Sequence, residues 1–220
     1  MSSHAVERPG AQQWVPPGAA PPELAQAARA CRGCELWEGT TGTVFGEGNI
    51  TSKLVLVGEQ PGDVEDRRGR PFVGPAGRVL DRALDEVGLV REQVYITNAV
   101  KHFRFEIRPS ERGGDGKRRI HKTPEVVHIT ACRPWLAAEL NAIRPAVITV
   151  LGATAAKALL PSDYRVTRDR GRVYEGPSGS GAKLVGTIHP SAILRTPDAE
   201  RDAAYAAFVA DLHVAVALLP

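Results

Sequence analysis

Four short apolar runs constrain this chain more than any other feature: Leu54-Val55-Leu56-Val57, Val94-Tyr95-Ile96-Thr97, Ala146-Val147-Ile148-Thr149-Val150-Leu151 and Lys183-Leu184-Val185-Gly186-Thr187-Ile188. They are continuous rather than alternating, so both faces of each strand must be covered, as in a parallel sheet. Between them lie stretches with helical spacing: Arg78 to Val87, Pro124 to Ile143, Ala153 to Leu160 and a closing Ala199 to Leu219. This alternation predicts an α/β fold of three layers, α/β/α, with a central four-stranded parallel sheet. A chain of 220 residues can build one such core. Residues 1–21 are rich in Pro, Gly and Ala and are expected to form a mobile or surface-draped tail, with Trp14 able to dock it locally. Residues 22–220 are expected to form the single domain.

In parallel sheets ligands gather where the strands end. Here those ends are Glu59-Gln60-Pro61-Gly62-Asp63, Asn98, Gly152 and His189-Pro190-Ser191. Most of them carry groups able to do chemistry. Neither a G-x-G-x-x-G turn nor a Walker lysine motif follows the first strand, so nucleotide-cofactor binding has no support.

Three cysteines exclude a disulfide framework. Cys31 and Cys34 form a C-x-x-C pair and Cys132 lies far downstream, which with one further ligand would complete a metal or cluster site. No apolar run is long enough to span a bilayer, and the first residues lack a secretory signal, so no membrane association and a cytoplasmic protein are expected. The net charge of +3 permits nucleic-acid binding without demanding it. Its distribution is uneven. Lys117-Arg118-Arg119-Ile120-His121-Lys122 crowds four cations around one histidine, after the run Gly113-Gly114-Asp115-Gly116. Alone it reads as a solvated basic loop with a bystander histidine, with a phosphate backbone as the partner its cations suggest.

Several motifs together resemble the iron–sulfur uracil-DNA glycosylases: Gly58-Glu59-Gln60-Pro61-Gly62, Gly69-Arg70-Pro71-Phe72-Val73-Gly74-Pro75-Ala76-Gly77, Thr97-Asn98-Ala99-Val100-Lys101, Ala131-Cys132-Arg133-Pro134-Trp135-Leu136 and His189-Pro190-Ser191. Three departures resemble the X-type branch, whose members join covalently to uracil-containing DNA: Gln60 in place of the usual alanine, the inserted basic loop, and His102 in place of a cysteine. The resemblance implies a [4Fe–4S] cluster on Cys31, Cys34, His102 and Cys132. By ligand count alone zinc remains an alternative.

The resemblance also implies residue roles. Phe72 would stack on a base flipped out of the helix. Asn98 would read the uracil edge, because an amide offers both a donor and an acceptor. Gly58, Gln60 and Asp63 would complete the uracil site, or Gln60 would contact the basic loop, with Asp63 and Asp66 holding that loop through its cations. His189 would donate to the uracil oxygen that gains charge, and Glu59 would steady the developing oxocarbenium or position a nucleophile. Lys117, Arg118, Arg119 and Lys122 would contact DNA, as would a loop running from Ser191 to Arg195, with Ile193 or Leu194 as a wedge. His121 would be the nucleophile, since a neutral imidazole attacks carbon better than water does. An N-alkyl imidazole has no activated centre for hydrolysis, so the product would persist.

The expected function is recognition of uracil in DNA, single strands preferred, with cleavage of the glycosidic bond and attachment of deoxyribose C1′ to His121 in a monomer, nucleoid-associated while on DNA. The alternatives are a turnover glycosylase, a damage sensor without chemistry, and an electron-transfer protein.

Overall fold

The computed structural model describes residues 8–109 and 117–220. The chain runs through α1 (Pro21–Ala28), β1 (Glu47–Gly48), β2 (Leu54–Gly58), α2 (Asp63–Arg68), α3 (Pro75–Glu86), β3 (Tyr95–Asn98), β4 (Phe105–Pro109) and β5 (Lys117–His121). It continues through α4 (Val126–Ile143), β6 (Val147–Leu151), α5 (Ala153–Leu159), α6 (Val166–Asp169), β7 (Val173–Glu175), β8 (Lys183–Thr187), α7 (Pro190–Arg195) and α8 (Asp198–Ala217). The sheet order is β1-β3-β2-β6-β8-β7. The inner pairs β3/β2, β2/β6 and β6/β8 are parallel, as expected. Short antiparallel strands β1 and β7 are added at the two edges.

The strands alternate their side chains between two cores. Leu54 and Leu56 of β2 pack on one face with Leu80 and Leu84 of α3 and Phe208 and Leu212 of α8. Val55 and Val57 pack on the other with Leu136 and Leu140 of α4 and Ala155 and Ala156 of α5. Both faces are therefore covered, which is why these strands read as unbroken apolar runs.

Three expectations need correction. The basic run is not an open loop: Lys117–His121 is a strand, paired antiparallel with β4 from Phe105↔His121 to Pro109↔Lys117. Its leading glycines, 113, 114 and 116, lie outside the described residues. Residues 190–195 are a helix, α7, because His189 caps it with Pro190 in the first turn. Residues 8–20, expected within a mobile or surface-draped tail, are not mobile but seated on the body. Gly10 N donates to Gly33 O (3.0 Å) and Ala11 N to Ala131 O (2.8 Å). Ala11 is buried in a third core with Leu24, Cys31, Cys132 and Trp135, and Trp14 packs against it.

Candidate active site

The carboxyl ends of β2, β3, β6 and β8 open onto one cavity of about 700 Å³. Glu59 and Gln60 follow β2, Asn98 ends β3, Gly152 follows β6 and His189 follows β8, while Phe72 and His121 close the sides. The spacing along the chain hides this convergence; the parallel sheet creates it.

Phe72 and Asn98 face each other over Gly58. A Cβ on Gly58 would lie 2.4 Å from Asn98 Oδ1 and 2.5 Å from Phe72 Cζ, so only glycine fits. Asn98 Oδ1 is buried with no hydrogen-bond partner among the described residues. Such an orphan acceptor is costly unless a ligand supplies the donor. The Phe72 ring lies 5.6 Å from the His189 ring, centroid to centroid. An aromatic face, an unpaired amide oxygen and an imidazole thus converge on one slot.

His189 has its tautomer fixed by its surroundings. Ser191 N donates to its Nδ1 at 3.1 Å, which leaves Nε2 as the protonated nitrogen when the ring is neutral. Burial pushes its pKa down to about 4, with Arg195 and His121 acting the same way against the Glu59 charge. Gly152 allows this close packing: its backbone is left-handed (φ 90°), and a Cβ there would meet His189 Cβ at 2.9 Å.

Glu59 Oε1 lies 3.1 Å from His121 Nε2. Burial pushes the Glu59 pKa up, but hydrogen bonds from His121 and Thr154 and the charges of the two histidines outweigh it. The net shift is downward, so the carboxylate stays ionised. His121 keeps half of its side chain exposed, 49%, and borders the cavity.

The hairpin β4/β5 that carries His121 is held at its base. Gln60 Nε2 donates to Arg104 O (3.2 Å) and Lys122 O (3.0 Å), and Gln60 Oε1 accepts from Arg104 N (2.9 Å). Arg119 Nε and Nη1 donate to Asp63 Oδ1 and Asp66 Oδ2, each at 2.6 Å. Its guanidinium also lies over the stacked rings of Phe103 and Phe105. Gln60, Asp63 and Asp66 therefore hold the hairpin, one of the roles the sequence allowed them beside uracil contact, while Arg119, expected on phosphate, is turned onto the two carboxylates. Lys122 pairs with Glu106 at 2.9 Å. Lys117 and Arg118 lie exposed on β5. On α7, Arg195 Nη1 donates to Ser191 Oγ (3.1 Å), Ile193 is buried in the core and Leu194 is 42% exposed, so Leu194 is the wedge candidate.

Cys31, Cys34, His102 and Cys132 line one small pocket beneath Trp135. Their environment suits metal-bound thiolates. Gly33 N and Trp135 Nε1 donate to Cys31 Sγ at 3.5 and 3.3 Å, and Lys101 N donates to Cys132 Sγ at 3.3 Å. Burial raises the Cys34 and Cys132 thiols to about 11 and about 12, so a cation must displace their protons. Burial lowers His102 to about 4, keeping its ring neutral and able to ligate. Among the described residues no three such side chains converge on a point that would seat a single metal ion. Three buried thiols and a neutral imidazole are a donor set of the kind that holds an iron–sulfur cluster.

Two contributors are invisible as motifs. Thr154 opens α5 and supports Glu59. Lys101 and Glu139 form a fully buried ion pair, and Lys101 Nζ also donates to Asn98 O at 2.8 Å. Glu139 accepts as well from Tyr95 and Thr97 hydroxyls, each at 2.9 Å. A polar residue in a helix-spaced segment gives no hint of this; only the fold brings it beneath β3.

A family model described as the uracil DNA glycosylase superfamily matches residues 45–213. The chain is 38% identical over 173 residues to a type-4 uracil-DNA glycosylase of Thermotoga maritima, covering 78% of this chain and 82% of that protein. It is 36% identical over 180 residues to a type-4 uracil-DNA glycosylase of Archaeoglobus fulgidus, covering 80% and 83%.

Proposed function

This chain belongs to the uracil DNA glycosylase superfamily, and on that premise we propose that it excises uracil from DNA and remains joined to deoxyribose C1′ through His121. The observation that carries this reading is the placement of His121 at the cavity rim, hydrogen-bonded to Glu59 at 3.1 Å.

The flipped base enters the slot beside Phe72, and its N3–H meets the unpaired Asn98 Oδ1. The bond from C1′ to N1 breaks, and its electron pair leaves with uracil. Nε2–H of His189 stabilises the anion at O2, while Glu59 lies beside the developing positive charge. The proton-free nitrogen of His121 bonds C1′. The resulting imidazolium gives up its remaining N–H proton to the departing uracil, directly or by way of Glu59. In balance, one imidazole proton is exchanged for a carbon bond and uracil leaves as the neutral base. Lys117, Arg118, Lys122, Ser191 and Arg195 hold the strand, and Leu194 fills the vacated step. A single exposed wedge suits a single strand, where no partner base must be replaced.

Cys31, Cys34, His102 and Cys132 hold a [4Fe–4S] cluster in this reading. When bound, it supplies a rigid cross-link between the N-terminal segment, the 101–102 turn and α4.

In an ordinary turnover glycosylase Glu59 would activate water. That carboxylate already accepts from His121, which favours the imidazole as nucleophile. The base-reading part of the proposal is tested by incubating uracil-containing and thymine-containing single strands with the protein and measuring released base. Uracil alone is released. Release of both bases, or of neither, contradicts the assignment of Asn98 and Phe72.

A further inference from the structure

Phe72 has an unusual backbone. Its φ is 51°, in the left-handed region that an aromatic residue with its Cβ avoids. Such a conformation persists only where its surroundings enforce it. Two neighbours do so. Gly77 packs so closely that a Cβ there would lie 1.9 Å from Phe72 O. The second neighbour is Arg91. Its Nη2 donates to Pro71 O at 2.6 Å and its Nη1 to Phe72 O at 3.2 Å, so one guanidinium grips two consecutive carbonyls.

Arg91 is itself fixed from two sides. Nη1 donates to Asp81 Oδ1 of α3 (2.9 Å) and Nη2 to Glu47 Oε1 of β1 (3.1 Å). Glu47 pairs across the sheet with Ile96 of β3, the strand that ends in Asn98. The guanidinium thus ties the Phe72 turn to the strand bearing the residue that faces Phe72. Arg91 does not line the cavity.

We infer that Arg91 is a positioning residue that holds Phe72 in its left-handed conformation and so presets the slot for the flipped base. This rests on the reading of the cavity as a base site. A planar fork suits that role because it satisfies two carbonyls and two carboxylates at once, which a lysine ammonium does poorly.

The test is a double-substitution cycle in the full chain. Arg91→Ala, Phe72→Ala and the pair are compared for single-turnover reaction with a uracil-containing strand as a function of strand concentration. Arg91→Ala raises the half-saturating concentration roughly tenfold, in keeping with the cost of small misplacements. In the Phe72→Ala background the same change adds little. Arg91→Lys falls between, and Glu47→Gln weakens the clamp while leaving the arginine. A full additive loss in the Phe72→Ala background, or no loss in a folded Arg91→Ala protein, overturns the inference. A second readout does not depend on the reaction. With 4-fluorophenylalanine throughout, the ¹⁹F signal lost in Phe72→Ala is assigned to position 72. It is single and sharp in the parent and broadens or splits in Arg91→Ala. An unchanged signal refutes the clamp even where no variant reacts with DNA.

Discussion

His121 on strand β5 meets Glu59 at the end of β2, Nε2 to Oε1, across 3.1 Å. The two residues are far apart in sequence, and β5 and β2 belong to separate sheets. The contact exists because a hairpin outside the main sheet folds its basic strand back over the strand ends. It places the His121 imidazole next to the Glu59 carboxylate, the pairing on which the proposed covalent capture rests.

The hairpin must be anchored for that contact to last. Gln60→Ala removes three hydrogen bonds to the chain at the hairpin base and leaves backbone groups of Arg104 and Lys122 unpaired. A cost of about 1–3 kcal/mol is expected locally. The rate of covalent joining falls roughly tenfold, while affinity for uracil-containing strands changes little. Rates from quenched time courses on denaturing gels and affinities from fluorescence anisotropy check both halves.

Arg119→Ala acts more severely. It strips the cation from Asp66, whose side chain is fully buried, and one of two from Asp63, which keeps Arg67. Thr41 N–H and hydroxyl remain as donors to Asp66. Breaking such a pair leaves a buried charge, at a cost of about 3 kcal/mol or more if the hairpin stays closed. The hairpin opens instead. Amide hydrogen exchange over residues 117–121 accelerates, and joining slows at least as much as in Gln60→Ala. Exchange as slow as in the parent would show that Arg119 is not the anchor.

His189 gives the pH dependence a sign. Its folded pKa is about 4, against about 6.5 when unfolded. Between those values the unfolded chain takes up a proton that the native ring refuses, so its contribution to stability is whole above about pH 6.5. It is lost as pH falls toward 4, at up to about 1.4 kcal/mol per pH unit. Glu59, whose pKa is also lowered, acts in the same direction. Urea midpoints across pH 4–7 in the parent and in His189→Gln check this. The variant has the shallower acid slope. Nitrogen chemical shifts of the ring identify Nε2 as the protonated site at neutral pH.

The cysteine pocket predicts a metal-dependent fold. Cys132→Ser replaces the ligand supplied by α4. Iron content per chain falls, the visible absorption of the cluster is lost, and the thermal midpoint drops because residues 8–34 lose their tie to α4. Zinc in stoichiometric amount in the purified parent, without iron, would contradict the cluster assignment.

The sequence displayed the sheet well, since strands covered on both faces cannot hide: Leu54–Val57 and Val147–Leu151 are fully buried. It displayed the strand-end residues Glu59, Asn98 and His189 as well, because parallel topology sends every strand end to the same edge. It concealed what long-range packing creates. The β4/β5 hairpin is amphipathic only weakly, with Ile107 exposed, so periodicity gave no strand there. Gln60 could be read as a contact to uracil or to the basic loop; the fold selects the loop, where its amide meets the backbone of Arg104 and Lys122. The Arg91 grip on Phe72 depends on a backbone angle that no composition or spacing reports.

Covalent capture by His121 is decided by the mass of the product formed with a uracil-containing single strand. The parent protein gives a species that survives heat and denaturant, with the summed mass of protein and DNA less one uracil. Fragmentation places the DNA on His121, and His121→Ala, still folded, forms no such species. An intact mass that never exceeds that of the free protein while uracil is released, or an adduct that persists in His121→Ala, would contradict it.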